Sequence, residues 1–576
     1  MDYRENYLSW LENEALEGGL REELKAIACD PREQEERFYT ELEFGTAGLR
    51  GIIGAGTNRM NVHVVRRATQ GLADYINTIE GAKERGVAVA YDPRHMSDVF
   101  AKETALVLAE NGVKVYLYST LHSVPQLSFT VLHLGCIAGV VITASHNPPE
   151  YNGYKVYWEH GGQASPEQAD EILKYIRNAN YFDVRPMDEQ AALSAGLLNM
   201  IGAELDEEYY KATMSLRLNP ELTAEKGGDM KLVYTPLHGS GCVPVKEILK
   251  RMGIESVSIV AEQEAPDGSF PTVKAPNPED PYAFTLAFEL ANKVGADLIL
   301  GTDPDSDRLG AAVRTGDGRF AVLTGNQIGS ILIHYILSAM KEKGILPNNG
   351  LVVKSIVSTM MADAICAHFG VEMRHVLTGF RFISEQIAYC EKTGEKEFIF
   401  GFEESYGFLK GSFARDKDAI CAAMMLAEAA VVYAQQGKSL YDVLQEMYAI
   451  YGFYGETVKS YTLKGKEGLE KIAAAMEALR NKPMDTVGGV KVLSFEDLKK
   501  GIVKYRDDRV EKAGLPSSNV LRFFLEEDCW LCVRPSGTEP KLKLYIGGKA
   551  HSADGLDKRL NELMADADER ISELLK

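Results

Sequence analysis

No apolar run in this 576-residue chain is long enough to cross a bilayer. The longest, around 134–144 and 420–434, are too short or are interrupted, as by Glu428. An excess of cations is missing too. The 63 lysines and arginines face 83 aspartates and glutamates, a formal net charge of −20. That balance excludes sequence-independent binding to nucleic acid, which needs phosphates neutralised by Lys and Arg. It leaves open a local basic pocket for a small anion. The opening MDYRENYLSWLENE has neither the basic nor the apolar region of a secretory signal. The expectation is a cytoplasmic protein with no membrane and no nucleic-acid partner.

Paired cysteines are also lacking. Cys29, Cys136, Cys242, Cys366, Cys390 and Cys421 are scattered, as reduced core residues are. Cys529 and Cys532 do form a C-x-x-C, but inside the strand-like run VLRFFLEEDCWLCV and without a second pair or a histidine cluster. Neither zinc nor redox chemistry is expected of them. What is present is ordinary globular material, 45% hydrophobic and 25% charged. The length suits roughly three to five domains of about 100–200 residues, enough to bury a core without disulfides.

Residues 2–40 read as charged amphipathic helix. A pattern then recurs three times: an apolar β-rich run, a helical stretch, and a second apolar run ending in a polar loop. The pairs are VAVAYDPR with GVVITASHNP (139–148), MKLVYTPLHG (230–239) with DLILGTDPDSDR (297–308), and LVVKSIVST (351–359) with EFIFGFEESYG (397–407). Continuous Val/Ile/Leu runs between helices predict buried, parallel or mixed strands. In such sheets ligands gather beyond the carboxyl ends of strands, so three such loops suit one shared cleft. Linkers are expected near 180–205, 310–325 and 435–455. The last part, with LRNKPMDTVGG, WLCVRPSGTEPKLKLYIGG and the amphipathic DGLDKRLNELMADADERISELL, reads as a smaller α+β domain. The fold class is therefore α/β, three related mixed-sheet domains plus a C-terminal α+β domain.

Each loop has its own chemistry. In Thr143-Ala144-Ser145-His146-Asn147-Pro148, Ser145 beside His146, with Lys155 further on, is either a nucleophile or phosphoryl carrier or a turn former. No G-x-S-x-G elbow is present. Asp303, Asp305 and Asp307 alternate directly after a strand and converge on one cation only if the loop curls. Hard oxygens suit Mg²⁺ bridging to phosphate. An EF-hand fails, because its sixth and twelfth positions would be Arg308 and Arg314. Arg534-Pro535-Ser536-Gly537-Thr538, with Lys541 and Lys543 following, supplies a guanidinium, two hydroxyls and a close backbone approach for a phosphate dianion, or else a hairpin turn. Glu403 and Ser405 in GFEESYG suit sugar hydroxyls, and FGTAGLRG (44–51) presents Arg50.

Together TASHNP (143–148), GTDPDSDR (301–308), GFEESYG (401–407) and RPSGTEPK (534–541), with FGTAGLRG, resemble the signature loops of the α-D-phosphohexomutase superfamily, in its order. The segment YNGYKVYWEHGGQ resembles the subgroup of phosphoglucomutase-2-like and bacterial phosphoglucomutases, within which phosphopentomutases also occur. Arg381 stands where Lys is common in phosphoglucomutases.

The resemblance implies four domains around a central cleft. Residues 1–40 would be a helical extension, 41–200 the phosphoserine-loop domain, 201–318 the metal-binding domain, 319–445 the sugar-binding domain and 446–576 the phosphate-binding domain. It implies Ser145 as phosphoryl carrier and Mg²⁺ on Asp303, Asp305, Asp307 and the serine's phosphate. Arg50, His146 and Lys155 would stabilise charge and move protons. Arg308, Gly379, Arg381, Glu403 and Ser405 would meet the sugar, and Arg534, Ser536, Gly537 and Thr538 the distal phosphate. The implied activity interconverts glucose 1-phosphate and glucose 6-phosphate through glucose 1,6-bisphosphate, in a monomer or dimer. Mannose or pentose phosphates are alternative substrates. A phosphatase with Asp303 as nucleophile and a non-catalytic sugar-phosphate sensor are the competing classes.

Overall fold

The computed structural model describes residues 2–45, 48–463, 465–536 and 541–576, and the chain divides into two compact units. The first holds Met1–Ile328, Ser384–Gly401 and Ser405–Ser439, and the second Gly329–Ile383, Phe402–Glu404 and Leu440–Lys576.

The first unit opens with three short helices, Tyr3–Glu12, Gly18–Ala26 and Pro31–Phe38, where the sequence suggested one helical stretch. The breaks have local causes. Asn13 turns extended after the first helix, and Asp30 caps the third by accepting the Arg32 and Glu33 amides, with Pro31 in its first turn. Tyr7, Trp10, Leu24 and Phe38 join the core under the first sheet.

That sheet runs, in spatial order, Leu49–Ile52, Tyr151–Trp158, Ala138–Ile142, Val87–Tyr91, Val115–Tyr118 and Leu198–Ile201. Its centre is parallel, and Tyr151–Trp158 pairs antiparallel on both sides. The apolar runs VAVAY and AGVVI are buried almost throughout, as expected for strands covered on both faces. Helix Val124–Leu134 begins with a capping box between Ser123 and Gln126 and stops at Gly135, whose φ of 65° is left-handed.

The second sheet runs Phe320–Leu323, Leu309–Arg314, Leu298–Thr302, Leu232–Thr235 and Val257–Ile259. The linker expected near 310–325 carries structure of its own: Thr315–Gly318 is the turn of an antiparallel hairpin. Turn residues mark hairpins and linkers alike. The linkers near 180–205 and 435–455 likewise carry structure, including Leu198–Ile201 and helix Leu440–Tyr451.

Helix Ala419–Ala434 is buried on nearly every face. Among the described residues, no helix is long and apolar enough to cross a membrane. Glu428, which interrupts its apolar run, is fully buried. Its carboxylate accepts the Leu218 and Asn219 amides at 2.8 and 2.9 Å, where helix Pro220–Lys226 begins.

In the second unit Gly350–Ser355 pairs in parallel with Glu372–Val376. The C-terminal sheet is antiparallel, in the order Phe453–Thr462, Lys541–Ala550, Trp530–Pro535, Leu521–Leu525, Val490–Asp497, Ile502–Tyr505 and Val510–Lys512. Helix Ala553–Leu574 covers one face of it. Cys529 and Cys532 belong to two different core clusters, which separates the C-x-x-C thiols and leaves both as packing residues.

Replacing Glu428 by Ala should strand one buried and one partly buried amide and cost about 2–4 kcal/mol. Glu428→Gln, which keeps one acceptor, should cost less. Denaturant unfolding, and faster hydrogen exchange at Leu218 and Asn219, are the measurements that check this.

Candidate active site

Two strand ends build the centre of the first unit. Ser145 lies just beyond Ala138–Ile142 and Asp303 just beyond Leu298–Thr302. The serine Oγ is 2.8 Å from Asp303 Oδ2 and 3.1 Å from His146 Nδ1. Ser145 has φ +51°, a left-handed conformation that costs a non-glycine residue roughly 1–2 kcal/mol. Its amide donates to Thr143 Oγ1 at 2.8 Å, and the single proton of that hydroxyl goes to Asp92 at 2.6 Å.

The acidic loop does curl. Asp303 Oδ1 accepts the amides of Asp307 and Arg308 at 3.1 and 3.0 Å, and Ser306 turns through φ +53°. Other elements bind the loop's carbonyls: Val124 N–H donates to Asp305 O, Ser240 N–H to Pro304 O and Ala419 N–H to Ser306 O. The result is three buried carboxylates, each with an oxygen within 4.8 Å of the others'.

Such a group cannot be fully ionised by itself. Burial pushes Asp303 well above the ordinary carboxylate range, and the charges of Asp305 and Asp307 push it further. Burial raises Asp307 as well, with Asp305 adding to it. Asp305 goes the other way: burial opposes its charge, but the Lys155 ammonium, a hydrogen bond with Asp303 and the Lys417 charge together outweigh that and hold it below the usual carboxylate range. Lys155 Nζ, on strand Tyr151–Trp158, is 2.9 Å from Asp305 Oδ2, and Lys417 Nζ is 3.0 Å from Asp307 Oδ2. Asp305 Oδ1 and Asp307 Oδ1 are buried with no hydrogen-bond donor from the protein. Hard oxygens, excess negative charge and two undonated atoms are what a divalent cation needs, and the residues present fit one.

Arg50 is exposed on strand Leu49–Ile52, opposite Gly153, and its Nη1 is 3.2 Å from Asn147 Oδ1. Gly48 just before it must be glycine: its φ is +79°, and a Cβ there would lie 1.8 Å from Tyr154 O. Arg308 is paired with Glu279 and lies 3.8 Å from Asp307. Burial, and then the Arg308 and Arg50 charges, hold His146 well below the usual imidazole value. Ser405 belongs to this unit, half-buried before Tyr406, whose carbonyl accepts the Leu309 amide.

The remaining predicted residues lie in the second unit. Glu403 Oε1 accepts the Gly379 amide at 2.7 Å, and Gly379 has φ +125°. Next to it, Glu404 Oε2 accepts Ser355 Oγ at 2.8 Å. Arg381 is the second residue of helix Phe380–Thr393, with its guanidinium carbon 4.6 Å from the centre of the Phe382 ring. Arg534 ends strand Trp530–Pro535 opposite Lys543, its Nε buried without an acceptor, and Ser536 N–H donates to Lys541 O at 2.7 Å. Tyr545 senses Glu403, Glu404 and Arg534 together: burial and then Glu404 raise its pKa, and Arg534 opposes them. Gly537 and Thr538 lie outside the described residues.

Sequence reasoning missed Asp92, Arg94, Glu279 and Lys417. Each meets the site from a distant segment, and only the Asp-x-Arg after a strand end offered any local signal.

Family models match four successive segments: phosphoglucomutase/phosphomannomutase alpha/beta/alpha domains I, II and III at residues 41–182, 207–316 and 324–451, and the C-terminal domain at 467–565. The phosphoglucomutase of Staphylococcus saprophyticus is 36% identical over 555 residues, 96% of this chain and 98% of the relative. That of Staphylococcus haemolyticus is 37% identical over 518 residues, 89% of this chain and 91% of the relative. Among solved structures, Paramecium parafusin, a phosphoglucomutase, aligns with a TM-score of 0.66 at 17% identity, covering 93% of this chain and 96% of its own. A Burkholderia thailandensis phosphoglucomutase/phosphomannomutase family protein aligns at 0.63 and 19%, covering 92% and 97%. At those identities the structures show the fold alone.

Titration with magnesium chloride followed by calorimetry should detect one site. Asp305→Asn and Asp307→Asn should each weaken it by about tenfold or more while leaving the circular dichroism spectrum unchanged. Equal affinity in either variant would remove the carboxylates as ligands.

Proposed function

The chain belongs to the phosphoglucomutase/phosphomannomutase family, and from that premise we propose that it interconverts glucose 1-phosphate and glucose 6-phosphate through a phosphoserine at Ser145. The observation that carries the reading is Ser145 Oγ held 2.8 Å from the first carboxylate of a three-aspartate cluster with undonated oxygens. A serine poised over a cation-binding group is the arrangement that phosphoryl transfer requires. Relatives 36–37% identical that are named phosphoglucomutases support glucose as the sugar.

In this reading a phosphoryl group on Ser145 passes to the free hydroxyl of a hexose monophosphate. The P–O bond to the serine breaks as the bond to the sugar forms, giving glucose 1,6-bisphosphate. The bisphosphate then turns end for end and returns its other phosphoryl group to Ser145. Asp303, Asp305 and Asp307 would hold Mg²⁺, which when bound offsets negative charge on the phosphoryl oxygens. Lys155, 2.9 Å from Asp305 Oδ2, faces that carboxylate with a positive charge. Arg50, exposed beside Asn147, supplies a guanidinium for the transferring group. His146 Nδ1, 3.1 Å from the serine oxygen, is placed to exchange the proton that the transfer displaces.

The chemistry sets a further demand, because one sugar must be gripped at its distal phosphate while its other end reacts. Arg534 and Ser536, with Gly537 and Thr538, are the proposed phosphate grip. Glu403 and Ser405 with Gly379, Arg381 and Arg308 are the proposed sugar contacts. Arg534 Nε, buried and without an acceptor, is a donor suited to an anion. The phosphate must bind there from either end of the sugar, and a guanidinium with hydroxyls imposes no directional preference.

Intact-protein mass spectrometry should find one phosphoryl adduct on the isolated protein and none on Ser145→Ala. Turnover of that variant should fall by roughly 10³-fold or more. Glucose 6-phosphate should appear from glucose 1-phosphate without free phosphate, whereas stoichiometric phosphate release would overturn the mutase reading. The ratio of kcat/KM for glucose 1-phosphate to that for mannose 1-phosphate and ribose 1-phosphate should exceed one in both comparisons.

A further inference from the structure

We propose that Arg94 is the positioning residue for the phosphoryl-carrying serine, and that Phe270 in turn holds Arg94. The inference rests on the reading of Ser145 as carrier. Arg94 follows the end of strand Val87–Tyr91, and its side chain is fully buried. Its Nε lies 3.4 Å from Asp92 Oδ2, while the rest of the guanidinium turns elsewhere. It fans out over the main chain of the serine turn. Nη2 donates to Ser145 O at 2.6 Å and to Asn147 O, and Nη1 donates to Pro148 O at 2.8 Å and Tyr151 O at 3.0 Å.

Asp92 completes the clamp from the other side of the serine. One of its oxygens accepts Thr143 Oγ1, which accepts the Ser145 amide; the other accepts the Arg94 amide and Ser97 Oγ. Both peptide groups flanking Ser145 are thus fixed by one Asp-x-Arg pair, the N–H through Thr143 and the C=O through Arg94. That matters because Ser145 sits at φ +51°. A left-handed serine freed of these bonds relaxes toward negative φ, and its Oγ swings away from Asp303. Only a planar fork reaches four carbonyls at once; an ammonium has the charge without the reach.

Arg94 is itself stacked. Its guanidinium carbon lies 4.9 Å from the centre of the Phe270 ring, and Phe270 is buried at φ +44°. The segment before Phe270 is pressed against Arg94's own loop: a Cβ on Gly268 would fall 2.6 Å from His95 N and 2.7 Å from Pro93 O. His238 brackets Phe270 from both sides in sequence, with Nδ1 3.1 Å from Ala265 O and Nε2 2.9 Å from Thr272 Oγ1. A phenylalanine from the second α/β domain therefore sets the guanidinium that sets the serine, without touching substrate.

The test compares Arg94→Lys and Phe270→Leu with wild type and with Glu428→Gln, which is remote from the serine turn. For Arg94→Lys, kcat should fall by about 10²-fold, the effect of a small misplacement of reacting groups. Its KM for glucose 1-phosphate should stay within about threefold, because the sugar and distal-phosphate contacts are other residues. Phe270→Leu, which keeps apolar bulk but loses the ring face, should show the same split at about tenfold. The ³¹P NMR resonance of the phosphoserine should shift or broaden in both variants and stay unchanged in Glu428→Gln. Wild-type kcat or an unchanged resonance in Arg94→Lys overturns the clamp. If Arg94→Lys does not fold, an unchanged kcat and resonance in Phe270→Leu overturns the proposal, and the predicted split in that variant supports it. A wild-type protein without a phosphoryl adduct would instead overturn the carrier reading itself.

Discussion

Three carboxylates confined within 4.8 Å of one another, out of reach of water, repel strongly, and much of the first unit answers that repulsion. Lys155 arrives from the first sheet to hold Asp305, and Lys417 arrives from the segment before helix Ala419–Ala434 to hold Asp307. Main-chain amides of Asp307 and Arg308 turn inward onto Asp303. Even so, two carboxylate oxygens have no protein donor. A loop with this electrostatic arrangement costs stability unless a cation joins it, which is why it reads as a binding site and not as an acidic turn.

The same region is rich in unfavourable backbone. Ser145, Ser306 and Tyr406, in the serine, acidic and GFEESYG loops, all lie at positive φ. None is glycine, so each must be held by its surroundings. They are held chiefly through main-chain bonds to neighbouring elements: Arg94 and Thr143 on the serine turn, Ser240 and Ala419 on the acidic loop, and Leu309 on Tyr406. Buried strands and capped helices provide the rigidity that this strain needs. The helix that begins at the Ser123–Gln126 capping box, for example, uses its first amide to bind Asp305.

Much of this was legible before any coordinates. The apolar runs VAVAY, AGVVI and LILGT became buried strands, and the polar loops after two of them came together, because strand ends are where a sheet offers its ligands. The curl of the acidic loop was a stated condition and is met. The linker expected at 310–325 carries a hairpin turned at Thr315–Gly318, in the stretch where the matches to domains II and III meet. The compact units also cut through the third family domain, with Glu403 in one unit and Ser405 in the other. The continuous motif GFEESYG (401–407) gives no hint of that.

The sequence by itself determined the chemistry of each loop: a serine after a strand, three alternating aspartates, an Arg-Pro-Ser-Gly-Thr turn. These are local facts, set by residue type and spacing. Only the tertiary structure decided who answers whom. Lys155 meets Asp305 across 150 residues, and Arg94 meets Ser145 across 51. Such pairs leave no periodic trace along the chain. Arg94 and Ser145 meet because the parallel strands Val87–Tyr91 and Ala138–Ile142 place their carboxyl ends side by side. Lys155 instead reaches Asp305 from within an antiparallel strand of another sheet, and burial obliges each charge to find a partner.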